Sequence, residues 1–163
     1  MKKTYLLCSI SFLTLTAPAQ WLQKGVDIDG EEAQEYSGRS ISMSSDGNTL
    51  AVGAPYNDGT ATNSGHVRIY EWSGAAWTQK GADIDGEAAA DISGWSISMS
   101  SDGNTIAIGA EENDGSATSS GHVRIYEWSG TAWAQKGADI DGEAAYDFSS
   151  RSISRGTRSL RCW

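Results

Sequence analysis

The sequence predicts an all-β fold made of tandem units of four short antiparallel strands, and three observations predict it. The 163-residue chain repeats at a period of 56. Trp21 recurs at Trp77 and Trp133, residues 21–76 and 77–132 are identical at 42 of 56 positions without a gap, and 133–154 match 77–98 at 17 of 22. Each period holds four segments that alternate apolar and polar residues or form short apolar runs, separated by Gly-rich turns. No segment carries a sustained helical period; Glu31–Glu35 and its copies have room for one helical turn at most. Four short strands per unit at such a period describe the blades of a β-propeller.

Residues 1–19 are expected to be a secretory signal. Lys2 and Lys3 precede an apolar stretch from Tyr5 to about Leu15, and Ala17-Pro18-Ala19 supplies small residues before a cut at Gln20. That stretch is too short to span a bilayer, and no later segment is apolar enough. Cys8 leaves with the signal and Cys162 then stands alone, which excludes an internal disulfide and a CxxC metal site. The expected location is secreted, extracellular or cell-surface.

The strands follow in order. Gly38–Ser44 alternates, as a half-buried strand does, and Asp46-Gly47-Asn48 has turn chemistry. Thr49–Ala54 is a short apolar run suited to burial on both faces. A polar loop, 57–65, leads to His66–Trp72, alternating and rich in β-formers. Ser73-Gly74 turns the chain into a fourth strand, Ala76–Gly81, and Asp83–Glu87 leads into the next unit. Ile41, Met43, Leu50, Val52, Val67 and Ile69 are expected between blades, with Ile97, Met99, Ile106, Ile108, Val123 and Ile125 as counterparts. The Trp72/Trp128 and Trp77/Trp133 pairs are expected in blade packing or at the outer rim.

The order Gly38-Arg39-Ser40-Ile41, Asp46-Gly47-Asn48, Ala51-Val52-Gly53-Ala54-Pro55, Gly65-His66-Val67-Arg68-Ile69-Tyr70 resembles the FG-GAP repeat. That repeat builds the seven-bladed propeller of integrin α subunits and of many exported bacterial proteins. The second copy repeats the order from Gly94 to Tyr126, and the resemblance covers residues 21–154. It implies an extracellular protein-interaction or adhesion module. The sequence departs from the pattern at Ser37 and Ser93, where the family has Phe; Tyr36, Ile92 and Phe148 stand one place earlier and are expected in the same apolar slot. The family's calcium loop, with Asp at alternate positions before Asp-Gly, is replaced by Ser44-Ser45-Asp46-Gly47 and Ser100-Ser101-Asp102-Gly103. One carboxylate falls far short of the six to eight oxygens Ca²⁺ takes.

A second acidic pattern, Asp-Ile-Asp-Gly-Glu, occurs three times: Asp27, Asp29, Glu31; Asp83, Asp85, Glu87; Asp139, Asp141, Glu143. Alternate carboxylates around a Gly resemble the start of a calcium loop, so these are the candidate metal ligands, against the alternative of solvated turns between blades. No other cofactor is expected. His66 and His122 occupy the same position in their copies, which favours a structural or surface role. No GxSxG, HExxH or phosphate loop occurs, and the protein is expected to be non-catalytic.

The copies differ at Arg39/Trp95, Pro55-Tyr56/Glu111-Glu112 and Gln34-Glu35/Ala90-Asp91. Arg39, Trp95, Tyr56 and Glu112 are the candidate ligand-binding residues. Between Gln20 and Asp147 stand six basic residues and all 21 acidic ones, a surface that repels nucleic acid and suits cations, basic proteins or neutral sugars. The expected partner is an extracellular protein or a glycan. The alternatives to an adhesion module are a lectin-like propeller and a structural scaffold or fragment.

After Ser154 the repeat text stops, and four Arg fall between 151 and 163. Codons for Arg155–Leu160, shifted by two bases, can encode Gly-Asn-Thr-Leu-Ala, the text of Gly47–Ala51. Residues 155–163 are accordingly expected to be an aberrant basic tail from a frameshift or gene-model error. The expected architecture is about two complete blades with an extra strand at each end, open and incomplete. Propellers close with four to eight blades, so the remaining blades or self-association are expected to complete it.

Overall fold

The computed structural model describes residues 20–155 and 160–162. The expected signal, 1–19, and residues 156–159 and 163 of the tail lie outside the described residues. Strands alone form the regular structure; among the described residues there is no helix.

The first sheet contains β1 (Ser40–Met43), β2 (Thr49–Ala54), β3 (His66–Trp72), β4 (Trp77–Gln79) and β5 (Ile84–Asp85), antiparallel throughout. The second repeats it with β6 (Ser93–Met99), β7 (Thr105–Ala110), β8 (His122–Trp128), β9 (Trp133–Gln135) and β10 (Ile140–Asp141). A hairpin of β11 (Ile153–Arg155) and β12 (Leu160–Cys162) follows. These are two blades of an open propeller, as the sequence predicts.

The fourth strand differs from the expectation. It is split: β4 covers Tyr70–Trp72 of β3, and β5 covers His66 and Val67. Gly81, at φ 85°, bends the chain between them after the Lys80 N–H donates to the Ile69 carbonyl at 2.7 Å. Half of the Asp-Ile-Asp-Gly-Glu segment is thus an edge strand of the preceding blade and not a lead-in to the next. The blade is also out of phase with the repeat, since β4 and β5 belong to the second sequence copy. The expected extra strand at the N-terminal end does not form at Trp21–Gln23, which no third strand precedes among the described residues.

Alternation decides what lies between the blades. Ala51, Val67, Ile69 and Ile84 share one face of the first blade and pack on Ile97, Met99, Ile106, Ile108 and Tyr126 from the facing side of the second. Trp133 closes this core at its margin. Val123, Ala107 and Ile153 start the next seam, with Ile125 half-buried against them. Two expected core residues are not buried: Ile41 is 66% and Met43 52% exposed, whereas their copies Ile97 and Met99 are 7% and 4% exposed. Ile41 and Met43 point to the side of the first blade on which no described blade packs. Ile140 is 50% exposed against 6% for Ile84 for the same reason at the other end.

Polar loops also join the blades. The N–H groups of Gly86, Ala90, Ile92 and Ser93 donate to the carbonyls of Gly65, Thr62, Asn63 and Ser64 at 2.8–3.1 Å, zipping the 57–65 loop to the start of the second blade. The pattern recurs as Gly142, Tyr146, Phe148 and Ser149 donating to Gly121, Thr118, Ser119 and Ser120. Ile92 is held at φ 50° by these bonds, a conformation that costs a β-branched residue on the order of 1–3 kcal/mol. Ile92 fills a buried apolar slot at 3% exposure, whereas Tyr36, 63% exposed, does not.

Candidate functional site

Acidic residues of successive copies meet on one face of each blade and not within a copy. On the outer face of the first blade the donor atoms of Glu31, His66 and Asp83 lie within 4.8 Å of one another; on the equivalent face of the second, which packs on the first, those of Glu87, His122 and Asp139 do. β3 and β8 place the histidines at the start of the strand, where each is 1% exposed. The bend after Gly81 brings Asp83 alongside, with His66 Nδ1 3.8 Å from Asp83 Oδ2; the copy, His122 Nδ1 to Asp139 Oδ2, is 3.6 Å. The glutamates come from the loop before each blade. Arg68 extends from β3 to pair with Glu31 at 3.2 Å and donates to the Asp29 carbonyl at 2.9 Å; Arg124 does the same with Glu87 at 3.2 Å and Asp85 at 2.8 Å.

The other candidate metal ligands are not in these sets, although Asp85 and Asp141 stand opposite His66 and His122 in the strand register. Asp27 accepts a bond from Gln23 at 2.7 Å, and Asp29, Asp141 and Glu143 are exposed. Asp83 and Asp139 also accept bonds from Gln79 and Gln135 at 2.5 Å. Burial, and next the Asp83 charge, raise the Asp85 carboxyl above the ordinary range. Burial, reinforced by Arg124, lowers the His122 imidazole below its usual value, against the pull of Asp139, so it is neutral at neutral pH. Sequence reasoning gave the histidines a structural or surface role and not a place among the ligands; their position two residues before the Arg of β3 and β8 was the available signal.

Three of the four candidate ligand-binding residues, Arg39, Tyr56 and Trp95, come together on the rim where β1 and β6 begin. The Arg39 guanidinium lies 4.1 Å over the Trp95 ring, Tyr56 meets Trp95 edge-on at 6.5 Å, and Tyr36 meets Tyr56 at 5.2 Å. Arg39 and Trp95 are equivalent positions in successive copies, so the stack crosses from one blade to the next. Arg151, the third equivalent, reaches back to Glu111 at 3.0 Å and lies 5.5 Å from the Phe148 ring. Glu111 is buried, which raises its carboxyl pKa against the opposing effect of Arg151. Glu112 is exposed beside it, outside the aromatic cluster. Beside the tyrosines a cleft of about 240 Å³ is lined by Glu32, Gln34, Tyr36, Tyr56, Asp58 and Asn63.

Two of the varying positions are structural. Glu35, 3% exposed, accepts bonds from the Glu31 N–H at 2.7 Å and the Asn57 amide at 2.9 Å. Asp91 accepts the Ala88 N–H at 2.8 Å. Both bond loop backbone or side chains and neither forms part of the rim. The Asn57-Asp58-Gly59 turn is likewise internally bonded, with Asn57 accepting from Gly59 at 2.8 Å and Asp58 from Asn63 at 2.7 Å.

With this geometry in place, comparison with known proteins gives one result. Residues 24–70 match the family model of the FG-GAP repeat. No curated protein matches the chain.

Proposed function

We propose that this chain, which carries the FG-GAP repeat at residues 24–70 and a second copy in the next 56 residues, is an exported β-propeller module for extracellular protein interaction or adhesion, working without catalysis. The observation that carries the reading is the rim cluster. Arg39, Tyr56 and Trp95 are among the few positions that differ between nearly identical copies, and all three converge on one surface joining two blades. Arg and aromatic side chains are the residues that dominate protein-binding hot spots. The strand cores, by contrast, barely vary between copies.

The test has two arms. Expression in a secreting host with sequencing of the product N-terminus should give a chain beginning at Gln20; retention of Met1 inside the cell refutes export. Immobilised protein should capture a defined set of surface proteins, and Arg39→Ala with Trp95→Ala should weaken capture at least tenfold while leaving the fold intact by circular dichroism. Undiminished capture by the double variant refutes the rim as the site.

The cleft of about 240 Å³ next to the rim favours a second reading, a carbohydrate-binding propeller. Two tyrosines beside carboxylate and amide groups offer an apolar face and hydrogen-bond partners for sugar hydroxyls. Glycan-array binding abolished by Tyr36→Ala and Tyr56→Ala selects this reading over the first.

A further inference from the structure

We propose that each blade binds a divalent transition-metal ion, zinc for preference, on a Glu–His–Asp triad: Glu31, His66 and Asp83 in the first, Glu87, His122 and Asp139 in the second. The proposal is independent of the ligand bound at the rim.

Three features argue for it. The six side chains converge as two sets of three donors, each set within 4.8 Å. The histidines, 1% exposed, are buried without satisfaction: His66 Nε2 and both ring nitrogens of His122 have no hydrogen-bond partner among the described residues. A buried polar group left unbonded is costly, and a metal bond at Nδ1 of His122 removes that cost at one nitrogen. The imidazole–carboxylate separations of 3.8 and 3.6 Å are too long for hydrogen bonds. They approach the separation of roughly 3.3–3.6 Å between two donors sharing one ion at bond lengths of about 2.0–2.2 Å.

The donor set chooses the metal. One imidazole and two carboxylates suit zinc and its neighbours, whereas calcium takes six to eight oxygens. The ion has a route in: the Asp83 and Asp139 side chains are 29% and 28% exposed and both glutamates 48%. Arg68 and Arg124 pair with the glutamates at 3.2 Å. A carboxylate has lone pairs for a guanidinium and a cation together, and the nearby positive charge weakens the site without filling it.

The experiment is equilibrium binding of zinc to the full chain at neutral pH, followed by calorimetry, with cobalt as a spectroscopic probe. The expected result is two ions per chain, one lost in His66→Gln and one in His122→Gln. Because a buried His→Gln change can unfold the chain, Asp83→Asn and Asp139→Asn are measured in parallel; each should weaken one ion at least tenfold. Cobalt should show weak visible bands of nitrogen–oxygen ligation. Absence of binding, binding unchanged in all four variants, or an intense near-ultraviolet sulfur band reporting a cysteine-bound ion each overturns the proposal.

Discussion

Ile41 and Ile97 are the same residue at the same place in two copies, and they differ in whether a blade covers them. Truncating each to Ala therefore measures what one seam contributes. Their exposures of 66% and 7% leave about three fifths of the side-chain surface as the difference. Full burial of an Ile is worth about 1.5–3 kcal/mol, so transfer alone gives roughly 1–2 kcal/mol. The cavity left among Ala51, Ile69 and Ile108 raises the cost of Ile97→Ala to about 2–4 kcal/mol. Ile41→Ala should stay within about 0.5 kcal/mol of the unaltered protein, as exposed substitutions do. Urea unfolding followed by tryptophan fluorescence gives both numbers, compared at an unchanged dependence on urea. Equal losses at the two sites refute the reasoning. They mean that the outer face of the first blade is covered in solution, and a dependence of the Ile41→Ala loss on protein concentration identifies a second copy as the cover.

Other contacts give sharper local tests. A Cβ on Gly86 falls 2.0 Å from the Ser64 carbonyl oxygen, so Gly86→Ala must push two backbones apart and should lower stability by about 1–3 kcal/mol in thermal unfolding. Trp133 donates its indole N–H to the Lys80 carbonyl at 2.8 Å, and Trp133→Phe removes that bond and shrinks two fused rings packed on the core to one; a loss above the roughly 0.5–1.5 kcal/mol of the bond alone is expected in the same assay. Asp46 accepts bonds from Ser44 Oγ, the Asn48 N–H and the Asn48 side chain, which lower its pKa from 3.8 to about 2. Its native form is the carboxylate, so its contribution to stability is complete above pH 3.8 and disappears as pH falls through about 2. Carboxyl-carbon NMR should place its titration midpoint near 2, and a midpoint near 3.8 shows that the turn is not closed in solution.

The strands were legible because period-2 alternation and Asp-Gly turns are local signals. Ser40–Met43, Thr49–Ala54 and His66–Trp72 lie within the segments their patterns predict. Burial was legible only where a neighbour exists. Ile41 and Ile97 sit in identical text, Ser-Ile-Ser-Met, and nothing in four residues says whether a blade lies against them. The rim was legible for another reason: its residues are where the copies differ, and those differences survive as a contiguous patch because equivalent positions in adjacent blades are neighbours in space.

The Glu–His–Asp clusters were not legible because the blade is shifted in phase from the repeat. The Asp-Ile-Asp-Gly-Glu text invites a search for ligands within five residues, yet the fold divides it. Ile84 and Asp85 pair with β3, which commits Asp83 to the preceding blade's histidine, while Glu87 passes on to the next blade, where it meets Arg124 and His122. Each cluster thus draws its glutamate from one copy of the motif and its aspartate from the following one, with the histidine 35 residues after the first and 17 before the second. Asp83 and Glu87 of one motif serve different clusters, so the spacing of the motif carries no information about a shared ion. The informative spacing is Glu31 to Asp83, one period less four residues, and it becomes visible only when the fourth strand is assigned to the blade that precedes it.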